Sequence, residues 1–562
     1  MLRAIPFVHR GPAMTGFRFA ARFAPALSLV LVAPASADAT FAGPYIQRVE
    51  PGHSRPLGEL PTVGARPSAV GENEPRVPPD WLADRVGWGA DVGPRDPLIS
   101  RMPEGGPNTP SPLATVQGMS NTCGCSPPDP MIAAGPSQVV QVVNATSLSV
   151  YDKTGAPIVQ NVAVRTLWAS GNCAASNDGD PTVTYDWLAD RWVIAQFSTG
   201  NAICVAVSQT PSATGAYFTY EFATPSFPDY FKIGAFGNAY FVGANESTYS
   251  ALALNRTAML AGQAATSLRF SGQQNFLMPA TLGGTTAPPQ PNDGLFYTFK
   301  DDTFHGGGPD RLEFYQFHVD FQTPANASFN LVATIPVASF TYTVCGFFVL
   351  GCVPQPGTTR RVDAVSEWPM WQLQYRNFGV GDERLVGSFT VDGGADVAAV
   401  RWFEVRRNAS VFSLQQEGTI GGGTDNRFMT STAMDRCGNI AVGYSVSSGT
   451  TTPSLRYATR LAGDPAGTMQ AEATLFAGTG VQTGSNRWGD YAAVVLDPQD
   501  ECTFWMTGEY FAATSSNNWT TRIGKFRLPE CSTTCGVTPP GALLVDGFEG
   551  GVGDDLFKDG FE

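Results

Sequence analysis

Four aspartates hold the same position relative to predicted strands, each directly ahead of an apolar run that ends in a turn. They are Asp129 in PPDPMIAAGPSQVVQVV, Asp180 in DGDPTVTYD, Asp229 in FPDYFKIGAFGN and Asp490 in RWGDYAAVVLD. If these runs are equivalent strands of a radially repeated β-fold, the four carboxylates gather at one mouth of its central channel. Carboxylates that close together raise one another's pKa unless a cation or a hydrogen-bond donor intervenes.

The four aspartates admit a metal-binding and a structural interpretation. Oxygen ligands suit Ca²⁺ or Na⁺, and the run NDGDP offers Asp178 and Asp180 as a calcium pair, without the later Gly and Glu of an EF-hand loop. In the structural interpretation, which we favour, each aspartate caps its own strand through local backbone hydrogen bonds. No cofactor is expected, with structural Ca²⁺ as the one exception considered.

Arginines beside aromatic residues form a second set. They are Arg376 in WQLQYRNFG, Arg401 in AAVRWFEV, Arg427 in DNRFM and Arg487 in SNRWGDY. The planar guanidinium binds carboxylates through two parallel hydrogen bonds, so the favoured interpretation is ion pairing with the strand-leading aspartates, from one blade to another. The alternative is an anionic-ligand clamp of the sialidase type, with Tyr491, Glu367 and Asp180 in the catalytic positions. The sialidase motif S-x-D-x-G-x-T-W is absent.

Several other chemistries are excluded by what the sequence lacks. It has four histidines and no H-E-x-x-H, G-x-S-x-G, P-loop or G-x-G-x-x-G motif. Its 35 Lys and Arg against 49 Asp and Glu give a net charge of −14, which disfavours nucleic acids and anionic membranes as partners. The sequence favours a non-catalytic binder of a glycan or protein ligand. The alternative is a carboxylate-dependent glycoside hydrolase or lyase that acts on extracellular polysaccharide.

The elements that would position these residues are short strands over residues 119–530. Strand–turn–strand units recur there at intervals of roughly 50 to 60 residues, the length of a four-stranded propeller blade. We therefore predict an all-β fold, a β-propeller of about seven blades. Two β-sandwiches are the alternative architecture. Helical periodicity is confined to one or two turns near residues 254–262, and long insertions between 265 and 370 obscure the blade count.

The segments on either side of residues 119–530 lack this strand–turn–strand pattern. Residues 1–39 read as a secretory signal peptide, with translation starting at Met1 or Met14. Residues 40–118 are rich in Pro and Gly and are predicted to form an irregular arm, and 531–562 form a linker and an acidic tail with two DGFE repeats. The sequence thus predicts a secreted, monomeric protein without a membrane span, located extracellularly, on the outer surface or in the periplasm.

Ten cysteines in an exported chain predict disulfides rather than metal sites. The expected pairs are Cys173 with Cys204, Cys345 with Cys352, and Cys437 with Cys502. Cys123 and Cys125 stand too close in CGC for an ordinary mutual bridge. They are expected to pair elsewhere, with Cys531 or Cys535 as candidates.

Six segments in this order resemble a family of large secreted bacterial proteins of unknown function with propeller-like repeats. They are PPDPMIAAGPSQVVQVVNATSLSVYDKTG, GDPTVTYDWLADRWVIAQF, FPDYFKIGAFGNAYFV, NRFMTSTAMDRCGNIAVGYSVSS, LRYATRLAGDPAGTMQAEATLFAGTG and RWGDYAAVVLDPQDECTFWMTGEY. The closing DGFE resembles the tails of exported proteins of gammaproteobacteria related to Xanthomonas. The resemblance implies a propeller fold and export, and it implies no catalytic residue.

Overall fold

The structure is a computed structural model that describes residues 41–63, 87, 89, 95–100, 109–175, 177–273, 275–306, 308–531 and 535. The predicted signal peptide, much of the predicted arm and the DGFE repeats lie outside the described residues.

Seven antiparallel blades follow one another along the chain, as the sequence predicted. The N-terminal strands are β1 (Ala42–Val49), β2 (Gly52–His53), β3 (Ile99–Ser100) and β4 (Ala114–Ser120). Blade 1 contains β5 (Met131–Ala134), β6 (Gln138–Val143), β7 (Ser147–Asp152) and β8 (Pro157–Ala163). Blade 2 contains β9 (Gly179–Asp186), β10 (Arg191–Ser198), β11 (Ala202–Ser208) and β12 (Tyr217–Ala223). Blade 3 contains β13 (Asp229–Phe236), β14 (Ala239–Asn245), β15 (Tyr249–Asn255) and β16 (Ala265–Gln273).

The remaining blades repeat this plan. Blade 4 contains β17 (Met278–Leu282), β18 (Asp293–Lys300), β19 (Arg311–His318) and β20 (Ser328–Pro336). Blade 5 contains β21 (Leu373–Asn377), β22 (Glu383–Asp392), β23 (Ala398–Asn408) and β24 (Val411–Ile420). Blade 6 contains β25 (Asn426–Met434), β26 (Ile440–Ser447), β27 (Ser454–Arg460) and β28 (Ala473–Phe476). Blade 7 contains β29 (Ala493–Leu496), β30 (Thr503–Tyr510), β31 (Thr520–Arg527) and the N-terminal β4.

In the part of the chain that the structure describes, helical structure is limited to short turns at the edges of blades. The helices are α1 (Asn172–Ala175), α2 (Arg256–Leu260) and α3 (Asp302–His305), with 3-10 turns at Leu57–Glu59, Val164–Leu167 and Pro324–Asn326. The helix predicted near 254–262 is confirmed by α2, which begins where the Asn255 side chain accepts a hydrogen bond from the Ala258 amide.

The strands are apolar on both faces because neighbouring blades cover both sides of each sheet. Every residue of β9, β11 and β14 is buried. Outermost strands such as β24 alternate between exposed and covered positions, because one of their faces meets solvent. This pattern places the innermost strands around a central channel and the outermost strands at the rim.

The ring closes by pairing the two ends of the propeller. β4 runs antiparallel to β31 and supplies the outermost strand of blade 7. Gln141 of β6 reinforces this seam, since its side chain accepts from the Met119 amide (2.9 Å) and donates to the hydroxyls of Thr507 (2.7 Å) and Thr521 (2.9 Å). Gly118 is required at the crossing because a Cβ there would lie 2.5 Å from Gln141 Oε1.

The segment predicted as an irregular arm differs from that expectation. β1 pairs with β16 and β2 with β12, so each adds a fifth strand to a blade. β3 pairs with β24 at the edge of blade 5, and β4 starts the propeller at Ala114 rather than near residue 119. The Pro and Gly content gave no strand pattern in this segment. Its strands are ordered by pairing with blades far along the chain, which the local sequence does not reveal.

Blades 4 and 5 depart from the regular plan. Their innermost strands β17 and β21 pair in parallel, which joins the two blades in one nine-stranded sheet with β3. Residues 337–372, here named the cap segment, connect β20 to β21. Much of the cap segment is buried, including Phe340, Tyr342, Phe347 and Trp368.

Five disulfides are present among the described residues. Cys173–Cys204 and Cys345–Cys352 are confirmed. The predicted Cys437–Cys502 pair is wrong, because Cys437 bonds Cys535 and Cys502 bonds Cys531, which ties the chain after β31 to blades 6 and 7. Cys123 bonds Cys125, contrary to expectation, because the intervening Gly124 adopts a positive φ of 71° and turns the two side chains together.

We predict that Gln141→Ala destabilises the ring by about 2 to 3 kcal/mol, because it leaves the buried Met119 N–H without a hydrogen-bond acceptor. Denaturant unfolding followed by tryptophan fluorescence measures the change. Gln160→Ala, on the exposed part of β8 in the same blade, serves as the control and is expected to stay within about 0.5 kcal/mol of the parent. Equal losses for the two variants would contradict the role assigned to the seam.

Candidate functional site

The innermost strands begin with a repeated backbone conformation. Asp129, Asp180 and Asp490 adopt left-handed φ values of 48°, 47° and 55°, and the same conformation occurs at Tyr230 (51°) in blade 3 and Met429 (49°) in blade 6. Aspartate tolerates this region better than most L-residues because its short side chain bonds local backbone groups. The aspartates therefore mark a recurrent kink at the start of a blade, and Asp229 stands one residue ahead of it.

The structure brings the four strand-leading aspartates together at one mouth of the channel. They lie with Lys232, Arg487 and Tyr491, and we call these seven residues the mouth cluster. Burial raises the pKa of Asp180, which Lys232 and Tyr491 oppose and Asp490 reinforces. Asp129 hydrogen-bonds Asp180 through its side chain and reaches blade 7 through its amide, which donates to the Gly489 carbonyl at 3.0 Å.

Lys232 is the member of the cluster that sequence reasoning missed. Its ammonium lies 3.7 Å from the Tyr230 ring centroid and 3.5 Å from that of Tyr491, and it donates to the carbonyls of Tyr230 (3.3 Å) and Phe231 (3.1 Å). The side chain is fully buried. Burial lowers the pKa of Lys232 to about 8, against the opposing field of Asp180 and the other aspartates. The available signal was a lone lysine inside the apolar run YFKIGAF.

Arg487 supplies the second cation of the mouth cluster. Its Nε donates to Asp490 Oδ1 at 3.2 Å, and Nη2 donates to Asp490 Oδ2, which makes the pair bidentate. Burial disfavours the charged guanidinium, but Asp490 and Asp129 outweigh this effect and the pKa of Arg487 is raised. This pair lies within one blade, whereas the sequence predicted ion pairs between blades.

Two acids in this region hold their protons to unusually high pH. Burial, followed by the charge of Asp180, raises the pKa of Asp229 to about 7. Burial also raises the pKa of Glu509, a second residue missed from the sequence, well above its ordinary value. Glu509 accepts a hydrogen bond from the Gly489 amide at 2.6 Å. The sequence feature that could have indicated Glu509 is an acidic residue within the aromatic strand TFWMTGEY.

The cap segment covers the mouth cluster. The Trp368 ring stands 4.4 Å from that of Tyr230, and the Tyr230 hydroxyl donates to the Pro369 carbonyl at 3.4 Å. Tyr491 and Asp490 are 2% and 3% exposed. Along the channel below lies an internal cavity of about 20 Å³, lined by residues that include Thr184, Gln374 and Val495. This volume holds one or two water molecules and no sugar residue.

The other predicted site residues lie away from the mouth cluster or have structural partners. Arg376, at the far end of β21, pairs with Glu501 and donates to the Gly283 carbonyl at 2.8 Å. Arg427 makes a bidentate pair with Glu472 at 3.1 Å, and Arg401 pairs with Asp96 at 2.6 Å. Glu367 lies in the cap segment and accepts from the Phe348 amide at 2.8 Å. These arginines pair with acids other than the strand-leading aspartates.

The proposed calcium pair does not form a cluster. Asp178 accepts from the amide and hydroxyl of Thr199 at 2.8 and 2.9 Å, while Asp180 faces the mouth cluster. Among the described residues, three potential ligands meet at Asp435, Cys437 and Cys531 and at Asp301, Asp302 and Asp310. The first group contains disulfide cysteines, and in the second Asp301 and Asp310 accept backbone amides. Calcium binding by Asp178 and Asp180 stays a prediction.

Among the described residues, open pockets outside the channel include two that are large enough for a ligand. The amide pocket, of about 580 Å³, is lined by Asn238, Asn255, Thr257, Ala258, Gln263, Asn292, His318, Val319, Asp320, Phe321 and Gln322. The arginine pocket, of about 410 Å³, is lined by Gly351, Thr358, Thr359, Arg360, Arg361, Thr483 and Asn486. Both volumes suit a small ligand.

Comparison with known proteins gives no family. No protein-family model matches the chain, and no curated protein matches it. Among solved structures, the chain is similar to the α-L-arabinofuranosidase Arb93A from Fusarium graminearum, with 10% identity over 75% of this chain and 99% of that one and a TM-score of 0.36. It is similar to a PL25 ulvan lyase, with 10% identity over 75% and 94% and a TM-score of 0.33. It is also similar to the subtype N10 neuraminidase-like protein of A/little yellow-shouldered bat/Guatemala/060/2010. The identity there is 10% over 73% of this chain and 98% of that one, and the TM-score is 0.30.

Likenesses this distant assign no activity, so the class of the protein rests on its own topology. The chain forms a seven-bladed β-propeller whose first and last blades are joined by β4. Its five disulfides are typical of a protein outside the cytoplasm. Among the described residues, no helix combines the length and apolar character needed to cross a membrane.

We predict that Arg487→Leu destabilises the protein by about 3 to 5 kcal/mol, because it leaves the Asp490 carboxylate buried without its cation. Arg527→Gln is the matched control, since Arg527 pairs with Asp500 at a site where the two side chains are 38% and 31% exposed. Its expected cost is about 0 to 1 kcal/mol. Denaturant unfolding of both variants provides the comparison, and a cost for Arg487→Leu no larger than that of the control would contradict the buried pair.

A second prediction concerns the pH dependence of stability. Because the pKa of Asp229 is raised to about 7 in the folded state, the native protein binds more protons than the unfolded chain between about pH 4 and 7, and this contribution to stability is lost as the pH rises through 7. Because the pKa of Lys232 is lowered to about 8, stability increases again above pH 8.

Asp229→Asn is expected to reduce the decline between pH 5 and 7 by of order 1 to 3 kcal/mol. Part of the decline remains, because burial also raises the pKa values of Asp310, Asp392 and Asp435 to about 6. Melting temperatures measured from pH 4 to 9 test this, with Asp320→Asn, at an exposed turn outside the mouth cluster, as the control. Parallel profiles for the parent and Asp229→Asn would show that Asp229 titrates normally.

Proposed function

We propose that the protein is an exported, non-catalytic binding propeller that presents exposed loop surfaces to an extracellular glycan or protein. The observation that carries this proposal is the closed state of the mouth cluster. Asp129, Asp180 and Asp490 are buried beside Lys232 and Arg487, and Trp368 of the cap segment packs on Tyr230 at the same mouth. The residues best equipped for chemistry are therefore engaged in holding the propeller together.

Carboxylate catalysis requires an acid and a base that reach the scissile bond from opposite sides of a substrate. Asp490 binds Arg487 through both carboxylate oxygens, and Asp180 is turned toward Lys232 and Tyr491. The cavity of about 20 Å³ below them leaves no room for a sugar ring.

The arginine set supports the same conclusion. A sialidase-type clamp needs several guanidinium groups converging on one ligand carboxylate. Here Arg376, Arg427 and Arg487 bond Glu501, Glu472 and Asp490 respectively. Each guanidinium thus has an internal anion, and an incoming carboxylate would have to displace it.

One observation favours the alternative of a glycoside hydrolase or lyase. Asp229 is partly exposed, and its pKa is raised to about 7 beside other carboxylates, which is the environment that suits a general acid.

The test measures binding and turnover in the same samples. The purified full-length protein is incubated with neutral and acidic polysaccharides and with extracellular proteins, while melting temperature, reducing ends and unsaturated uronate products are followed. We expect a rise in melting temperature with at least one ligand, no product, and the same ligand response in Asp229→Asn. Product that disappears in Asp229→Asn would overturn the proposal in favour of the hydrolase or lyase.

A further inference from the structure

The arginine pocket has an unusual composition for this chain. The protein carries 49 acidic and 35 basic residues, yet the seven lining residues include two adjacent arginines and no acid. Arg360 and Arg361 are both exposed. Among the described residues neither forms an ion pair, since no carboxylate oxygen there lies within 4.0 Å of their guanidinium groups. The sequence signal was the run TTRR after a Pro-Gly turn in an acidic chain.

The pocket is held by a network of backbone and amide bonds. Val353 and Val362 exchange two backbone hydrogen bonds (2.8 and 2.9 Å), which closes a hairpin whose tip carries Thr358 to Arg361. Gln355 and Gln482 clamp this hairpin against blade 7, since Gln355 Nε2 donates to the Gln482 carbonyl (2.9 Å) and the Gln482 amide donates to Gln355 Oε1 (2.8 Å). Both glutamines are buried, so the pocket has a rigid base.

Protein acceptors orient the two guanidinium groups without neutralising them. Arg360 donates through Nε to the Thr483 carbonyl (3.3 Å) and through Nη1 to Asn486 Oδ1 (2.5 Å). Arg361 donates through Nη1 to the Cys352 carbonyl at 2.8 Å. Each guanidinium has five N–H donors, so most donors stay available. Neutral carbonyls leave the positive charges uncompensated, which favours an anion in the pocket.

We infer that the arginine pocket binds an acidic saccharide, a sugar unit that carries a carboxylate or sulfate group. This inference rests on the proposed function and specifies its ligand class. The guanidinium groups of Arg360 and Arg361 receive the anionic group. The hydroxyls of Thr358 and Thr359 are placed to meet sugar hydroxyls. The Asn486 side chain holds Arg360 and donates to the Leu350 carbonyl at 3.4 Å.

Size distinguishes a saccharide from a bare inorganic anion. The volume of about 410 Å³ exceeds the space one sulfate or phosphate ion fills and suits one or two sugar residues. The lining contains no aromatic or aliphatic side chain beyond the threonine methyl groups, which disfavours an apolar ligand. An oxygen-rich, charged ligand meets these conditions.

The pocket lies next to the mouth cluster. Asn486 lines it and directly precedes Arg487 of the mouth cluster, and the Asp363 amide donates to the Asn486 carbonyl at 2.8 Å. Thr358 to Arg361 belong to the same cap segment that packs on Tyr230 through Trp368. The proposed ligand site is therefore built from the cap segment and the loop that leads to Arg487.

The experiment titrates full-length protein with oligogalacturonate, a sulfated dextran oligomer, neutral dextran of matched length, and sodium sulfate, using calorimetry at two salt concentrations. We expect an acidic oligosaccharide to bind, with affinity that falls at higher salt, and neutral dextran to fail. Arg360→Gln/Arg361→Gln is expected to lose at least tenfold in affinity with an unchanged melting temperature. The carboxylated and sulfated arms show which anionic group is preferred.

Two variants serve as controls. Arg165→Gln removes another exposed arginine that donates to a backbone carbonyl, that of Ala174 at 3.3 Å, and Gln322→Ala alters the amide pocket. Both are expected to bind acidic saccharide like the parent. A tenfold loss in Arg165→Gln would mean that general charge explains the binding and would overturn the assignment.

Other outcomes also overturn the inference, and they separate it from the proposed function. Parent-like binding by Arg360→Gln/Arg361→Gln, or sulfate bound as tightly as the oligosaccharide, would overturn the acidic-saccharide site. Binding of neutral dextran or of a protein alone would overturn this inference and leave the binding propeller intact. Cleavage of any oligosaccharide would instead overturn the proposed function.

Discussion

Closure of the ring is the constraint on which the rest of this structure depends. Seven blades covered on both faces can bury their apolar strands only if blade 7 meets blade 1, and β4 with Gln141 makes that meeting specific. The same seam brings Asp129 to the backbone of Gly489. The position of every innermost strand, and with it the geometry of the channel mouth, follows from this closure.

Ring closure brings four carboxylates together at the mouth, where their negative charges repel one another. Lys232 and Arg487 reduce this repulsion, and the raised pKa values of Asp229 and Glu509 reduce it further. Burial of most of the cluster strengthens each of these interactions. Residues that look catalytic in the sequence are therefore largely paired with one another, whereas Arg360 and Arg361 next to them are exposed.

The sequence predicted the propeller, its blade number and the convergence of the aspartates, because the hairpin pattern recurs along the chain and the Asp position repeats in four of the seven blades. Cys173–Cys204 and Cys345–Cys352 were predicted because the first two cysteines flank one strand pair and the second two close one short loop. Cys437–Cys535, spanning 98 residues, was not, because its partners meet only after the blades have closed. β1 to β4 were missed for the same reason, since their pairing partners lie hundreds of residues away. Lys232 was missed because hydrophobic patterning gives no sign that a buried lysine is caged by tyrosines from two blades.

The pairing of β4 with β31 joins residues 400 positions apart, as at Ser120 and Thr520. Pairing residues this far apart carries a loop-closure cost and slows folding, so we expect the edge of β31 to be unpaired until the chain's own β4 arrives. A second molecule carries an identical β4 and offers the same hydrogen bonds to that edge. We therefore expect exchange of this strand between two copies to become more frequent as the protein concentration during refolding rises.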